Sequence, residues 1–233
     1  MPESNQSTFR VFSNFLVKRK YELLLLGLVQ HLFVGIFVLD FDFYVRTLWP
    51  VNMVILAVLA SGLFLDTKHW VNRLKIPLFA SVILFPIGLP FFGEIPGYFI
   101  ALSVTYILFY LVLFIQVFRY MIRPSYINID LITSAICGFL LLVEIFVFVA
   151  YFLIHLEPQS FANVDLTNPP STYTDLVYYC SITLTTIGYG DISPITHQAK
   201  LITSFFGITG QFYQVLLVGV LISKFTNRSG SDG

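Results

Sequence analysis

The stretch Thr183-Leu184-Thr185-Thr186-Ile187-Gly188-Tyr189-Gly190-Asp191 decides how this chain is read. Two glycines flank a tyrosine directly after three threonines within four residues. Around it the chain is 57% hydrophobic and 11% charged, with a mean hydropathy of +0.81. Soluble domains carry about 25% charged residues, so the composition is that of a membrane protein. No P-loop, metal-ligand cluster or catalytic triad is recognisable, so no enzymatic activity is expected. Nothing suggests nucleic-acid binding.

Six segments are candidates to cross a membrane: 21–39, 50–65, 76–92, 98–118, 131–155 and 199–223. A hydrocarbon core of about 30 Å needs about 20 helical residues. The first, fourth, fifth and sixth segments meet that length. The second and third are short, and the third contains Pro77, Pro86 and Pro90. They are expected to span because packed neighbours tolerate proline in a membrane; two shallow or re-entrant segments are the alternative.

With both termini on one side, that side holds Arg10, Lys18, Arg19, Lys20, Lys68, Arg73, Lys75, Arg119, Arg123, Lys224 and Arg228, whereas the other holds only Arg46 and Lys200. The positive-inside rule makes the first side cytoplasmic. Acids lean the other way, with Asp40, Asp42, Glu94, Glu157, Asp165, Asp175 and Asp191 outside or in the outer mouth. The sequons at Asn5 and Asn227 then face the cytoplasm and are not expected to be glycosylated. Lys18-Arg19-Lys20 anchors the first span, and no small-residue cleavage pattern follows it. Cys137 and Cys180 lie in apolar surroundings and read as buried packing thiols.

Residues 1–20 form a basic N-terminal segment, 21–118 a four-helix unit, 119–130 a linker and 226–233 a tail. The pore-like unit is 131–225. After its first span, 156–171 is a polar outer loop, and 172–185 is an apolar run too short to cross. Thr172 or Ser171 is expected to cap this run, just after Pro169-Pro170. A short helix that enters from outside and stops mid-membrane fits its length. The glycine-bearing stretch follows it, so it lies inside the membrane without regular structure. Backbone in that state persists only when buried in protein or lining a water-filled path.

An ion entering a membrane needs its hydration shell replaced by fixed oxygens, and backbone carbonyls suit that task. For successive carbonyls to face one side, alternate residues must adopt left-handed angles, which glycine reaches without steric penalty. Gly188 and Gly190 supply the alternation. Thr186 adds a hydroxyl to its carbonyl, and Ile187 and Tyr189 are expected to wedge the strand against the short helix. One strand gives one carbonyl per level and the chain holds one copy, so four chains must converge.

Thr185-Thr186-Ile187-Gly188-Tyr189-Gly190-Asp191 resembles the signature of the tetrameric potassium channels, with isoleucine in place of the commoner valine. The resemblance covers about 130–225. It implies an all-α membrane protein of six transmembrane helices plus a re-entrant pore helix and filter loop, assembled as a homotetramer. It implies K+ as the permeant ion, held by the carbonyls of Thr186, Ile187, Gly188 and Tyr189 and the Thr186 hydroxyl, with Gly190 closing the filter. Filter support is expected from Thr185, from an aromatic pair, Tyr178-Tyr179, near the start of the pore helix, and from Asp191 accepting a hydrogen bond from Tyr179. A pore-helix glutamate found in some members is Ile182 here. The inner-helix hinge falls on Gly210, with Gly207 competing. The bend-forming prolines map onto Leu217 and Gly219, so a straight inner helix is expected. Gln211 and Gln214 align with cavity-lining positions, with inter-helix hydrogen bonding as the other reading.

Glu144 is an acid deep inside a span and carries a functional hypothesis by default; pairing with a polar group on another helix and pH sensing are both open. Voltage sensing is not expected. The fourth span holds no Arg or Lys from Tyr98 to Phe118, and Arg119 and Arg123 read as anchors at its end. Each charge crossing 100 mV supplies about 2.3 kcal/mol, so the work available to this helix is near zero. Only eight residues follow Phe225, and Ser229 to Gly233 reads as a linker or truncation scar. A gating ligand or regulatory partner is unspecified.

The expectation is therefore a potassium-selective channel in the cell membrane, contacting lipid and with cytoplasmic termini. A weakly selective cation channel and a non-conducting modulatory subunit are the alternatives. Gly188→Ala is expected to abolish selective conduction, because it places a Cβ where φ is positive. Bilayer recording under mixed K+ and Na+ checks this, and unchanged selectivity would overturn the filter assignment.

Overall fold

The computed structural model describes residues 15–38, 43–65, 72–93, 95–122 and 128–229. The expectations for Arg10, Asp40, Asp42, Lys68, Glu94, Arg123, Asn5, most of the N-terminal segment and 230–233 lie outside the described residues.

The chain is almost wholly helical. Helix α1 (Lys20–Phe33) tightens into a 3₁₀ turn, Val34–Phe37. A π turn, Tyr44–Leu48, leads into α2 (Trp49–Leu65), so this helix begins before the predicted 50. Then come α3 (Asn72–Phe92), α4 (Tyr98–Ile122) and α5 (Ile129–Leu156). A short helix α6 (Pro169–Leu184) and a long α7 (His197–Ser229) complete the chain. Helix α4 runs through Arg119 to Ile122, so the linker expected from 119 starts later. Among the described residues, four helices are long and apolar enough to cross a membrane: Lys20–Phe37, Tyr98–Ile122, Ile129–Leu156 and His197–Val220. Apolar stretches Trp49–Leu63 and Ile76–Phe92 are shorter.

Helix α5 is the spine. It packs against α1, α4, α6 and α7, and nearly all of its middle, from Leu141 to Phe148, is buried. Asn128 caps it by accepting from Leu131 N–H at 2.9 Å. Against α4 the contact is aromatic: Tyr106 stacks on Phe148 at 4.9 Å, and Phe109, Tyr110, Leu113 and Val117 are fully buried. The helix in the sensor-like fourth position therefore has a core-facing aromatic stripe and a single basic residue, Arg119, in its last turn.

Helix α3 absorbs three prolines without a break. Pro86 has no N–H, so the carbonyl of Val82, four residues back, loses its helical donor. The buried Tyr106 hydroxyl donates to that carbonyl at 2.9 Å. The hydroxyl of Tyr98 donates to Phe85 O beside it. Two tyrosines of α4 thus supply hydrogen bonds that bulk water cannot supply in lipid.

Helix α7 is continuous through Gly207, Gly210 and Gly219. Tyr213 fixes it to the spine: its hydroxyl donates to Ala135 O at 2.7 Å and lies 3.9 Å from Met121 Sδ. Gly138 makes room, since a Cβ there would collide with the Tyr213 hydroxyl. Tyr106→Phe is expected to destabilise the protein by about 1–3 kcal/mol, the cost of orphaning a buried carbonyl. Thermal denaturation in detergent checks it.

Candidate functional site

Helix α6 and the stretch after it form the candidate pore loop. Asn168, not Ser171 or Thr172, is the N-cap, and its side chain accepts from Ser171 N–H at 2.9 Å. Pro169 and Pro170 are the first helical residues, not an upstream loop, because proline lacks the N–H that would be orphaned there. The Thr172 hydroxyl instead donates to Asp165 O at 2.8 Å. The helix ends at Leu184, where its last carbonyls need donors. Thr185 supplies both N–H and hydroxyl to Ser181 O, at 3.0 and 2.7 Å. Thr186 N–H donates to Thr183 O at 3.1 Å. Ile182 O accepts from Ile187 N–H at 2.9 Å and Gly188 N–H at 3.2 Å.

Beyond this turn the backbone alternates. Thr186, Gly188 and Gly190 have φ of 63°, 55° and 83°. The glycines were expected; Thr186 was not, and a β-branched residue rarely adopts such angles. Such a conformation costs about 1–3 kcal/mol and persists only where surroundings over-determine it. Ile187 and Tyr189 are 56% and 72% exposed. Both side chains are thus largely uncovered within one chain.

The outer end is clamped by elements the sequence reading missed. Phe161–Ala162 (β1) pairs antiparallel with Ser193–Pro194 (β2), Phe161 opposite Pro194. Ile195 N–H donates to Ser160 O at 2.8 Å. Asn163, at φ 59°, donates from its side chain to the Asp191 carbonyl at 2.7 Å. Asparagine is among the few residues that tolerate this conformation, which was the only signal available in advance.

Asp191 is indeed bonded to the aromatic pair, but to the other member. Tyr178 donates to Asp191 Oδ2 at 2.6 Å, whereas the Tyr179 hydroxyl pairs with Thr203 Oγ1 of α7 at 2.8 Å. On this helix the two side chains diverge by about 100°, so only one faces the strand. Both lie past the helix midpoint, nearer its C-terminal end than the expected start. The bond from Tyr178 holds the Asp191 carboxyl below the usual carboxylate range. Backbone N–H of Thr167 does the same for Asp165.

Inside, the two amides part company. Gln211 is exposed, while Gln214 is half-buried and reaches Leu184 O at a long 3.5 Å. A Cβ on Gly210 would press on Leu184 at 2.5 Å, whereas Gly207 has nothing within 4 Å. Close packing against α6 therefore accounts for Gly210. Glu144 is fully buried and paired, as one reading held: its Oε1 is 2.7 Å from His31 Nδ1 of α1. The Tyr173 hydroxyl of α6 lies 2.9 Å from the same nitrogen. Cys137 and Cys180 are free and buried, and among the described residues no His, Cys, Asp and Glu gather as metal ligands.

Comparison with known proteins bears on the same region. A family described as "Ion channel" matches residues 138–227. The human "Potassium voltage-gated channel subfamily KQT member 4" is 38% identical over 96 residues, covering 41% of this chain and 12% of that protein. KQT member 3 of Bos taurus is 34% identical over 97 residues, covering 40% and 11%. "Two pore potassium channel c" of Oryza sativa subsp. japonica is 44% identical over 54 residues, covering 23% and 12%. The chain thus spans about an eighth of the length of the curated relatives it matches. No solved structure matches it.

In Tyr178→Phe, Asp191 is expected to titrate at higher pH, nearer an ordinary carboxylate. The tie between Asp191 and α6 is present above the usual carboxylate pKa of about 3.9. It is lost as pH falls through the lowered value in the folded protein. NMR titration of the carboxyl carbon in both proteins reads the difference. Residues 138–227 are thus similar to the ion-channel family and to the potassium channels that share this segment, in a chain whose described part holds four helices long and apolar enough to cross a membrane.

Proposed function

We propose that four copies of this chain form a potassium-selective pore that conducts passively and senses voltage little. The observation carrying this reading is the alternation of positive φ at Thr186, Gly188 and Gly190, directly after a helix too short to cross the membrane. That alternation lets carbonyls of Thr186, Ile187, Gly188 and Tyr189 turn to one side, where four strands surround one file of dehydrated K+. The Thr186 hydroxyl adds an inner ring.

Two features support assembly. Ile187 and Tyr189 are largely exposed within one chain, and a neighbour's pore helix would cover them. Helix α7 also presents Leu201, Phe205, Ile208, Phe212 and Val215 outward, all at least 58% exposed. Their spacing of four and three residues forms one stripe, suited to a second copy of the same helix. Gln211, exposed beside that stripe, is assigned to the water-filled cavity, and Gln214 to bracing the pore helix.

Weak voltage sensing follows from α4, whose span carries no charge to move, and whose inner face is locked by aromatic packing to α5. Both termini are assigned to the cytoplasm from the placement of basic residues, and the cell membrane is the assigned location.

Flux from proteoliposomes, with cross-linking to count chains, tests the proposal. Potassium flux well above sodium flux, and a shallow conductance–voltage curve, are expected. Equal fluxes would make the pore a weakly selective cation channel; no flux from a verified tetramer would make it a modulatory subunit. A steep curve would overturn the view of α4.

A further inference from the structure

Glu144 sits at the middle of the spine, and its partners come from two other helices. His31 Nδ1 of α1 is 2.7 Å from Oε1. The Tyr173 hydroxyl of α6 is 2.9 Å from His31 Nδ1 and 3.3 and 3.4 Å from the two carboxyl oxygens. The side chains of His31 and Glu144 are wholly buried, and Tyr173 is nearly so. The other ring nitrogen of His31, Nε2, is buried with no hydrogen-bonding partner. All the polar contact of the ring therefore lies on the edge facing Glu144 and Tyr173.

The rest of the surroundings cannot replace that edge. Tyr44 from the π turn, Tyr106 and Tyr110 from α4, and Tyr173 and Cys180 from α6 are all buried in the same core. Among the described residues, His31 is the basic group in ion-pair contact with it. From α2, Trp49 approaches through its ring, 5.9 Å from that of Tyr173. A buried carboxylate is stable only when paired.

We propose that His31, Glu144 and Tyr173 form a positioning clasp by which the first helix holds the pore helix, and through it the filter. Tyr173 lies in the second turn of α6, and Ile182, whose carbonyl receives the first two filter amides beyond the turn, lies near its far end. A helix of this length is a stiff rod, so displacement at Tyr173 reaches that carbonyl. The clasp rests on the filter reading above.

Removing either side chain of the Glu144–His31 pair strands its partner without its closest polar contact in a dry core.

Wild-type tetramers and variants are recorded in bilayers in mixed K+ and Na+, measuring the permeability ratio and the persistence of current. Glu144→Gln and His31→Gln should each lower the ratio. Tyr173→Phe keeps the buried pair and the ring but removes the link to α6. It should lower the ratio about tenfold, the scale of one lost hydrogen bond to a charged group. A merely structural role would lower only the yield of tetramer. Tyr173→Phe with the wild-type ratio would overturn the clasp. Absence of K+ current from wild-type tetramer would overturn the channel reading, and the clasp with it.

Discussion

A backbone carbonyl at the end of a buried apolar helix must find a donor within the protein, and the arrangement of the candidate pore loop follows from how Ile182 meets that requirement. Its oxygen accepts from both Ile187 and Gly188, so the end of α6 and the loop after it are one hydrogen-bonded object. Thr185 and Thr186 close the neighbouring carbonyls. With the helix end sealed, the chain can leave it in an alternating conformation that no ordinary secondary structure supports. A left-handed threonine is retained there because the flanking bonds leave it no alternative.

The same requirement shapes the rest of the molecule. In lipid, burying apolar surface does not drive helices together, so close packing and hydrogen bonds must. Tyrosine serves that need repeatedly: Tyr106 caps a carbonyl freed by proline, Tyr213 joins α7 to α5, and Tyr178 and Tyr179 tie α6 to the strand and to α7. Each ring fills space between helices while its hydroxyl satisfies a polar group at the far side. The large share of aromatic residues is thus part of the bonding as well as of the packing.

What was legible in the sequence is what depends on neighbours along the chain. Hydropathy marked the helices, and the spacing of Gly188 and Gly190 marked the filter turn. Features that depend on residues distant in sequence were not legible. Strands of two residues, Phe161–Ala162 and Ser193–Pro194, have no periodicity to detect. The pairing of Glu144 with His31 joins positions 113 apart. Choosing Tyr178 over Tyr179 for Asp191 needed the rotation of α6 relative to the strand, which composition does not encode. Pro169-Pro170 was legible but misassigned, since proline both ends loops and begins helices.

Tyr213 has a mechanical consequence. Its hydroxyl is bonded to α5 and its ring lies against Gly138, so α7 is held near its midpoint like a beam clamped to a wall. Gly207 and Gly210 lie between the clamp and the filter; Gly219, with nothing within 4 Å of its missing Cβ, lies beyond it. A cantilever flexes on its free side. Bending at Gly219 would swing the C-terminal arm of α7 while leaving the contacts of α6 in place, whereas bending at Gly210 would have to drag Leu184 and α6 with it.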